Sequence, residues 1–213
     1  MFTELQYRKQ IVNFHKTIHA LGFGVANDGN TSIRLSNNTF LITPRGLDKN
    51  QLKPSDIVVI DSHGHLLNGK HQPSSELWMH LKTYEIRPDI LAVSHAHPPY
   101  AIAASLVGIS LETPILPEVV LAFDGIPTVP YALTGSRIMA DSCSKALRQS
   151  DGVILERHGV VTVGKSLTDT LTKLERIEHT AKILFNAHQF PSVKPLSESQ
   201  VHELKALRNE PTT

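Results

Sequence analysis

Five short stretches carry the residue types and spacings that chemistry needs. In Val93-Ser94-His95-Ala96-His97, strand side chains alternate faces, so His95 and His97 point the same way and both imidazoles can reach one ion. Two neutral histidines at that spacing are half of a zinc site, which is catalytic when three protein ligands leave one position open. Two hydrogen-bonded histidines at a strand end would read the same way. Pro73-Ser74-Ser75-Glu76 sets two hydroxyls and free backbone N–H groups at a helix start, an arrangement suited to phosphate. An ordinary N-cap followed by an acidic first-turn residue has the same sequence. Gly29-Asn30-Thr31-Ser32, Thr43-Pro44-Arg45-Gly46 and Arg157-His158-Gly159 each fall in a turn or at the end of an element, where sites are usually built.

The elements that must position these residues are legible in outline. Leu5, Ile11, Val12, Phe14, Ile18 and Leu21 form an apolar stripe that predicts a helix over 3–21, ending at Gly22 and Gly24. Two β-like runs over 31–35 and 39–43, joined by Ser36-Asn37-Asn38, read as a hairpin. A strand over 57–60 meets a turn at Ser62-His63-Gly64-His65, and Ser74 is the expected N-cap of a helix through about Ile86. The apolar run Ile90–Val93 leads a buried strand into His95 and His97, with Pro98-Pro99 closing it. A helix then runs to Val107, before Gly108. Two short strands are expected within 118–131 around Asp124-Gly125, then a helix near 136–149. Strands over 153–155 and 160–163 flank Arg157-His158-Gly159. A long helix spans 167–188, and Pro191 to Pro195 precede a last short helix. The pattern predicts an α/β layered domain, a largely antiparallel sheet covered by helices. It is read as a single domain over 1–213, with a core of about 3–188 and a helix and tail over 189–213.

Composition narrows the classes. The 213 residues carry a net charge of +1 and no lysine or arginine cluster, which argues against nucleic acid or an anionic membrane as partner. The single Cys143 excludes internal disulfides and fits a reducing cytosol. The first residues lack a signal pattern, and no apolar run approaches the length of a membrane span, so a cytoplasmic protein is expected. Twelve histidines raise the expectation of metal chemistry. His15, His19, His63, His65, His71, His80, His179, His188 and His202 are expected on solvent-facing helix sides or in polar turns. Arg176 and Glu178 are expected on a charged helix face, and Cys143 in the core.

In combination, Gly-Asn-x-Ser, Thr-Pro-x-Gly, Pro-Ser-Ser-Glu, His-x-His and a downstream His-Gly after a strand resemble the class II aldolase/adducin superfamily, in the fuculose-phosphate aldolase type. The resemblance covers about residues 3–188. It implies a three-layer α/β/α fold with a central, mostly antiparallel sheet, assembled as a homotetramer with sites at subunit interfaces. It implies His95, His97 and His158 as ligands of Zn²⁺, with Mn²⁺ or Co²⁺ also compatible with imidazoles. It implies Glu76 as the catalytic acid/base, and Asn30, Gly46, Ser74 and Ser75 as the holders of a sugar phosphate.

Two positions depart from that pattern. Arg45 stands where the fuculose-phosphate type has a small hydroxyl residue; it either pairs with phosphate or a carboxylate, or points into solvent. Glu118, in Leu116-Pro117-Glu118-Val119, falls where that type has a tyrosine proton donor from the neighbouring subunit. Glu118 reads either as a second proton carrier or as a solvent-facing terminus, and Tyr131 as a residue shaping the site. The expected activity is metal-dependent cleavage of a ketose 1-phosphate to dihydroxyacetone phosphate and an aldehyde. A sugar-phosphate 4-epimerase, decarboxylase or dehydratase on the same metal site is the alternative, and a non-catalytic adducin-like interaction module a remote one. An ion held by three neutral imidazoles keeps its full charge for polarising a carbonyl, and a phosphate grip far from the scissile bond fixes orientation. No lysine lies in these motifs, which sets a Schiff-base route aside.

Overall fold

The computed structural model describes residues 2–123, 125–190 and 192–209. Helix α1 (Glu4–Ala20) opens with Thr3 as N-cap. The Thr3 hydroxyl accepts from the Gln6 backbone while the Gln6 side chain accepts from the Thr3 N–H, a reciprocal cap that satisfies two orphan donors. Strands β1 (Asn30–Arg34), β2 (Phe40–Ile42), β3 (Val58–Ile60) and β4 (Leu66–Asn68) follow, then α2 (Leu77–Ile86), β5 (Ala92–Ala96) and α3 (Pro99–Val107). The chain continues through α4 (Pro117–Phe123), β6 (Thr128–Val129), α5 (Arg137–Ala146), β7 (Gly152–Leu155), β8 (Gly159–Gly164), α6 (Leu167–Ala187) and α7 (Glu198–Asn209).

Among the described residues the strands form one eight-stranded sheet in the order β4-β3-β2-β1-β5-β8-β7-β6, antiparallel at every pairing except β6 with β7. Alternation along the central strands feeds two cores. Ile33, Ala92, Ala96, Ile154 and Val160 face a layer that includes α1, α3, α4 and α6. Val93, Val153, Leu155, Val161 and Val163 face α2 and α5. The result is a three-layer α/β/α arrangement whose central strands are buried on both sides, which is why β8 is valine-rich and buried along its whole length.

Three local expectations need correction. The first of the two strands expected after residue 118 is instead helix α4. Its buried residues Val119, Val120 and Phe123 recur at helical spacing, and a short β-branched apolar run does not distinguish the two periods. Asp124 of the expected turn lies outside the described residues. Strand β4 is an additional edge strand, exposed along its length and so without an alternating pattern to betray it. Helix α2 begins after Glu76 rather than at Ser74, because Ser74 is tied across to β2's end: its N–H donates to the Thr43 carbonyl. Among the described residues, no helix is long and apolar enough to cross a membrane.

Candidate active site

His95 is the penultimate residue of β5, and its register partners are Asn30 on β1 and Val161 on β8. His97 lies just past the strand, where its backbone N–H donates to the Phe23 carbonyl at 2.7 Å. His158 comes from the tight turn between β7 and β8, closed by its N–H on the Leu155 carbonyl, with Arg157 held at φ +61°. Antiparallel pairing of β8 with β5 carries this turn onto His95 and His97. The three rings meet with centroids 4.7–5.1 Å apart, and one nitrogen from each lies within 4.8 Å of the others.

The donor set suits a divalent ion. His95 Nδ1–H donates to the Val160 carbonyl at 3.0 Å, so Nε2 presents a lone pair, and His97 Nδ1 sits 3.4 Å from an Asp28 carboxylate oxygen. His95 Nε2 and His97 Nε2 are 3.0 Å apart; tetrahedral coordination at zinc–nitrogen distances of about 2.05 Å places ligand nitrogens ~3.3 Å apart. Burial, reinforced by the neighbouring His97 and His158, pushes the fully buried His95 far below the usual imidazole value. Burial also lowers His158, against the pull of the Glu76 carboxylate. Both rings are thus held in the neutral form that coordination requires.

Glycines make the close approach feasible. A Cβ on Gly159 would lie 2.9 Å from His97 Cδ2 and 3.0 Å from His95 Cε1. Gly29, at φ +74°, would put one 2.8 Å from the His95 carbonyl oxygen.

Glu76, immediately before α2, reaches the same point. Its Oε2 accepts from Asn30 Nδ2 at 2.8 Å and stands 3.4 Å from His95 Nε2. Its Oε1 is 3.7 Å from His158 Nε2 and is buried without a hydrogen-bond partner among the described residues. A buried carboxylate beside three neutral imidazoles leaves a negative charge that a divalent cation held by those imidazoles offsets.

A cavity of about 350 Å³ opens in front of these groups. Asn30, Glu76, His97 and His158 line it together with Arg45, Gly46, Ser74 and Ser75. Ser74 is buried, its Oγ accepting from the Glu76 backbone N–H at 3.3 Å; Arg45 and Ser75 are exposed. Gly46 sits at φ +77° with open space where a side chain would be. Glu118 does not line this cavity: it is exposed on α4, where its backbone carbonyl accepts from Arg176. Tyr131 is 61% exposed and does not line it either.

Other residues reach the site unannounced. Lys49, buried in the turn after Gly46, lines the cavity and donates from Nζ to the Pro44 and Leu47 carbonyls; burial lowers its ammonium below the usual lysine value, against the pull of Asp28 and Asp48. Thr134 lines the cavity as well. His80, expected in solvent, is buried and hydrogen-bonded to Asn30 and Ser32, and burial lowers it to about 3. The four-residue spacing of Glu76, His80 and Tyr84 was the available signal, since such residues share a helix face. His15 is likewise fully buried rather than exposed. Glu178 is not on a charged outer face: it is buried and caps α3, accepting from the Tyr100 and Ala101 N–H groups.

Comparison with known proteins agrees with this geometry. A sequence model of the Class II Aldolase and Adducin N-terminal domain matches residues 9–185. The chain is 36% identical to the L-fuculose phosphate aldolase of Methanococcus maripaludis over 81% of its own length and 94% of that protein's. It is 30% identical to the 3-oxo-tetronate 4-phosphate decarboxylase of Haemophilus influenzae, over 95% of this chain and 98% of that protein. In three dimensions it superimposes on an L-fuculose 1-phosphate aldolase structure with a TM-score of 0.89, at 28% identity and 95% coverage of both chains. The chain belongs to the class II aldolase and adducin N-terminal domain family.

Proposed function

We propose that this chain is a metal-dependent carbon–carbon lyase that cleaves a ketose 1-phosphate to dihydroxyacetone phosphate and an aldehyde. The observation that carries the reading is the buried Glu76 carboxylate, with Oε1 unpartnered beside three convergent imidazoles at the base of a polar cavity. His95, His97 and His158 would hold the ion, Zn²⁺ in the first instance, which supplies Lewis-acid polarisation of the substrate carbonyl when bound.

Cleavage breaks the carbon–carbon bond and leaves its electron pair on the carbon next to the carbonyl. Glu76 takes the hydroxyl proton of the departing half, which becomes the aldehyde, and returns it to that carbon. The phosphate sits against Gly46, Ser74 and Ser75, with Arg45 at the cavity edge as a counter-charge. Asn30 lines the same cavity, but its amide is engaged by Glu76 and His80, so it serves the carboxylate before any phosphate. Glu118 acts only in an assembly, a homotetramer with sites between subunits. The large exposed apolar side chains of Tyr131, Leu133 and Ile138, in the segment that gives Thr134 to the cavity edge, support such an interface.

Similarity to the decarboxylase over nearly the whole chain favours one second reading, loss of CO₂ from a 3-oxo acid phosphate. Both reactions leave an electron pair next to a carbonyl, so the same site can serve either. A coupled assay for dihydroxyacetone phosphate separates them. It uses zinc-loaded protein with fuculose, rhamnulose, ribulose, 5-deoxyribulose and methylthioribulose 1-phosphates. Release from any of these, abolished by a chelator and restored by zinc, supports the aldolase. CO₂ from 3-oxo-tetronate 4-phosphate without release from the panel selects the decarboxylase.

A further inference from the structure

We propose that His80 is a positioning residue: backed by Ser32 and Tyr84, it fixes Asn30, which commits Oε2 of Glu76 and leaves Oε1 as the oxygen that exchanges the proton. The proposal rests on the reading of Glu76 as the acid/base and deepens it.

Five polar residues run from the helix into the site in one buried column. Tyr84 Oη lies 2.9 Å from Ser32 Oγ, Ser32 Oγ 2.7 Å from His80 Nδ1, and His80 Nε2 2.5 Å from Asn30 Oδ1. Asn30 Nδ2 donates to Glu76 Oε2 at 2.8 Å. None of the five is more than 9% exposed. The sequence builds the column by two periods meeting: Glu76, His80 and Tyr84 recur every four residues about helix α2, and Asn30 and Ser32 alternate on β1.

The direction of every bond follows from the charge at its end. An ionised carboxylate only accepts, so the Asn30 amide nitrogen faces Glu76 and its oxygen faces His80. His80 must then donate from Nε2. A neutral imidazole has one N–H, so Nδ1 is an acceptor and the Ser32 hydroxyl donates to it; the single Tyr84 hydroxyl proton then has two acceptors, Ser32 Oγ at 2.9 Å and the Leu91 carbonyl at 3.3 Å, of which Ser32 is the shorter. The reversed chain would press the Asn30 carbonyl against the carboxylate. Oε2 is therefore held whenever Glu76 is ionised. A proton can arrive at and leave Oε1 without the side chain turning, and a fixed base is worth more than a mobile one.

Two measurements on the metal-loaded full chain test this. Nitrogen-15 imidazole spectra between about pH 6 and 9 should show His80 neutral with its proton on Nε2; a proton on Nδ1, or a cationic ring, overturns the arrangement. This arm needs no substrate, so it decides even if the wild type cleaves none of the sugar phosphates, in which case the functional reading fails separately. In the kinetic arm, His80→Phe should lower kcat about 10- to 100-fold with KM within about threefold and metal content unchanged. His80→Gln keeps a donor for Asn30 and an acceptor for Ser32, and should recover to within about fivefold of wild type. A Phe variant within about twofold of wild type, or a Gln variant no better than Phe, overturns the proposal. If His80→Phe does not fold, Ser32→Ala decides: the Nε2–H population and kcat should both fall, and both unchanged overturns it.

Discussion

Asn30 and His95 are direct register partners across β1 and β5, so one sheet position delivers both the amide that holds Glu76 and an imidazole of the triad. Paired residues in an antiparallel ladder project to the same face, here the face covered by α2 and α5. The sheet thus sets the distance between carboxylate and histidines, and helix α2 only has to end on it.

His158→Ala should leave the fold intact, because the β7–β8 turn is closed by backbone bonds, but should abolish stable metal retention. Metal content by mass spectrometry should fall from near one per chain to below about 0.1. Retention of a full complement would show that the triad does not bind the ion.

Glu76→Gln should keep the ion and lose the chemistry. We expect kcat lower by about 10²- to 10⁴-fold, the usual worth of a positioned acid/base, with metal stoichiometry unchanged. Full activity in this variant would remove Glu76 from the mechanism.

Gly159→Ala should push the β8 turn away from β5 and the histidine rings with it, since a methyl there runs first into the Ala96 backbone carbonyl and then meets His97 Cδ2 and His95 Cε1 at about 3 Å. The expected result is a loss of about 1–3 kcal/mol in urea unfolding together with at least about tenfold weaker zinc binding in competition with a chromophoric chelator. Wild-type affinity would mean that the rings have room to spare.

Asp151 links β7 to two cations: Arg87 and Lys173 each approach its carboxylate at 2.8 Å. Burial alone would raise this carboxyl, but the two partners outweigh it and hold Asp151 below the usual carboxylate value. A lowered folded-state value contributes stability that is complete above about pH 4 and lost as the pH falls through the folded value. Asp151→Asn should therefore cost about 1–2 kcal/mol at neutral pH, and its difference from wild type should shrink steadily below about pH 4 in urea titrations. A difference that stays constant down to about pH 2 would show that the ion pairs contribute nothing.

The sequence by itself marked the candidate histidines and most of the elements around them. His95 and His97 share a face because a strand's period is two. Gly159 beside His158, and the two prolines after His97, mark where the chain must turn or stop. Periodicity and turn chemistry are local, so they survive in a linear reading. What the fold alone decided is which local pieces meet. The β1–β5 and β5–β8 pairings join strands that are not consecutive along the chain, and only they bring Asn30, His95 and the His158 turn together. The burial of His80 and Glu178 was hidden for a related reason. A polar residue on a helix face looks solvent-exposed until its partner is known, and here the partners are Asn30 and Ser32 on β1 and the α3 N-terminus. Helix α4 escaped because seven residues of mixed apolar character fit either period, and the packing of Val119 and Phe123 against their own core layer made the choice.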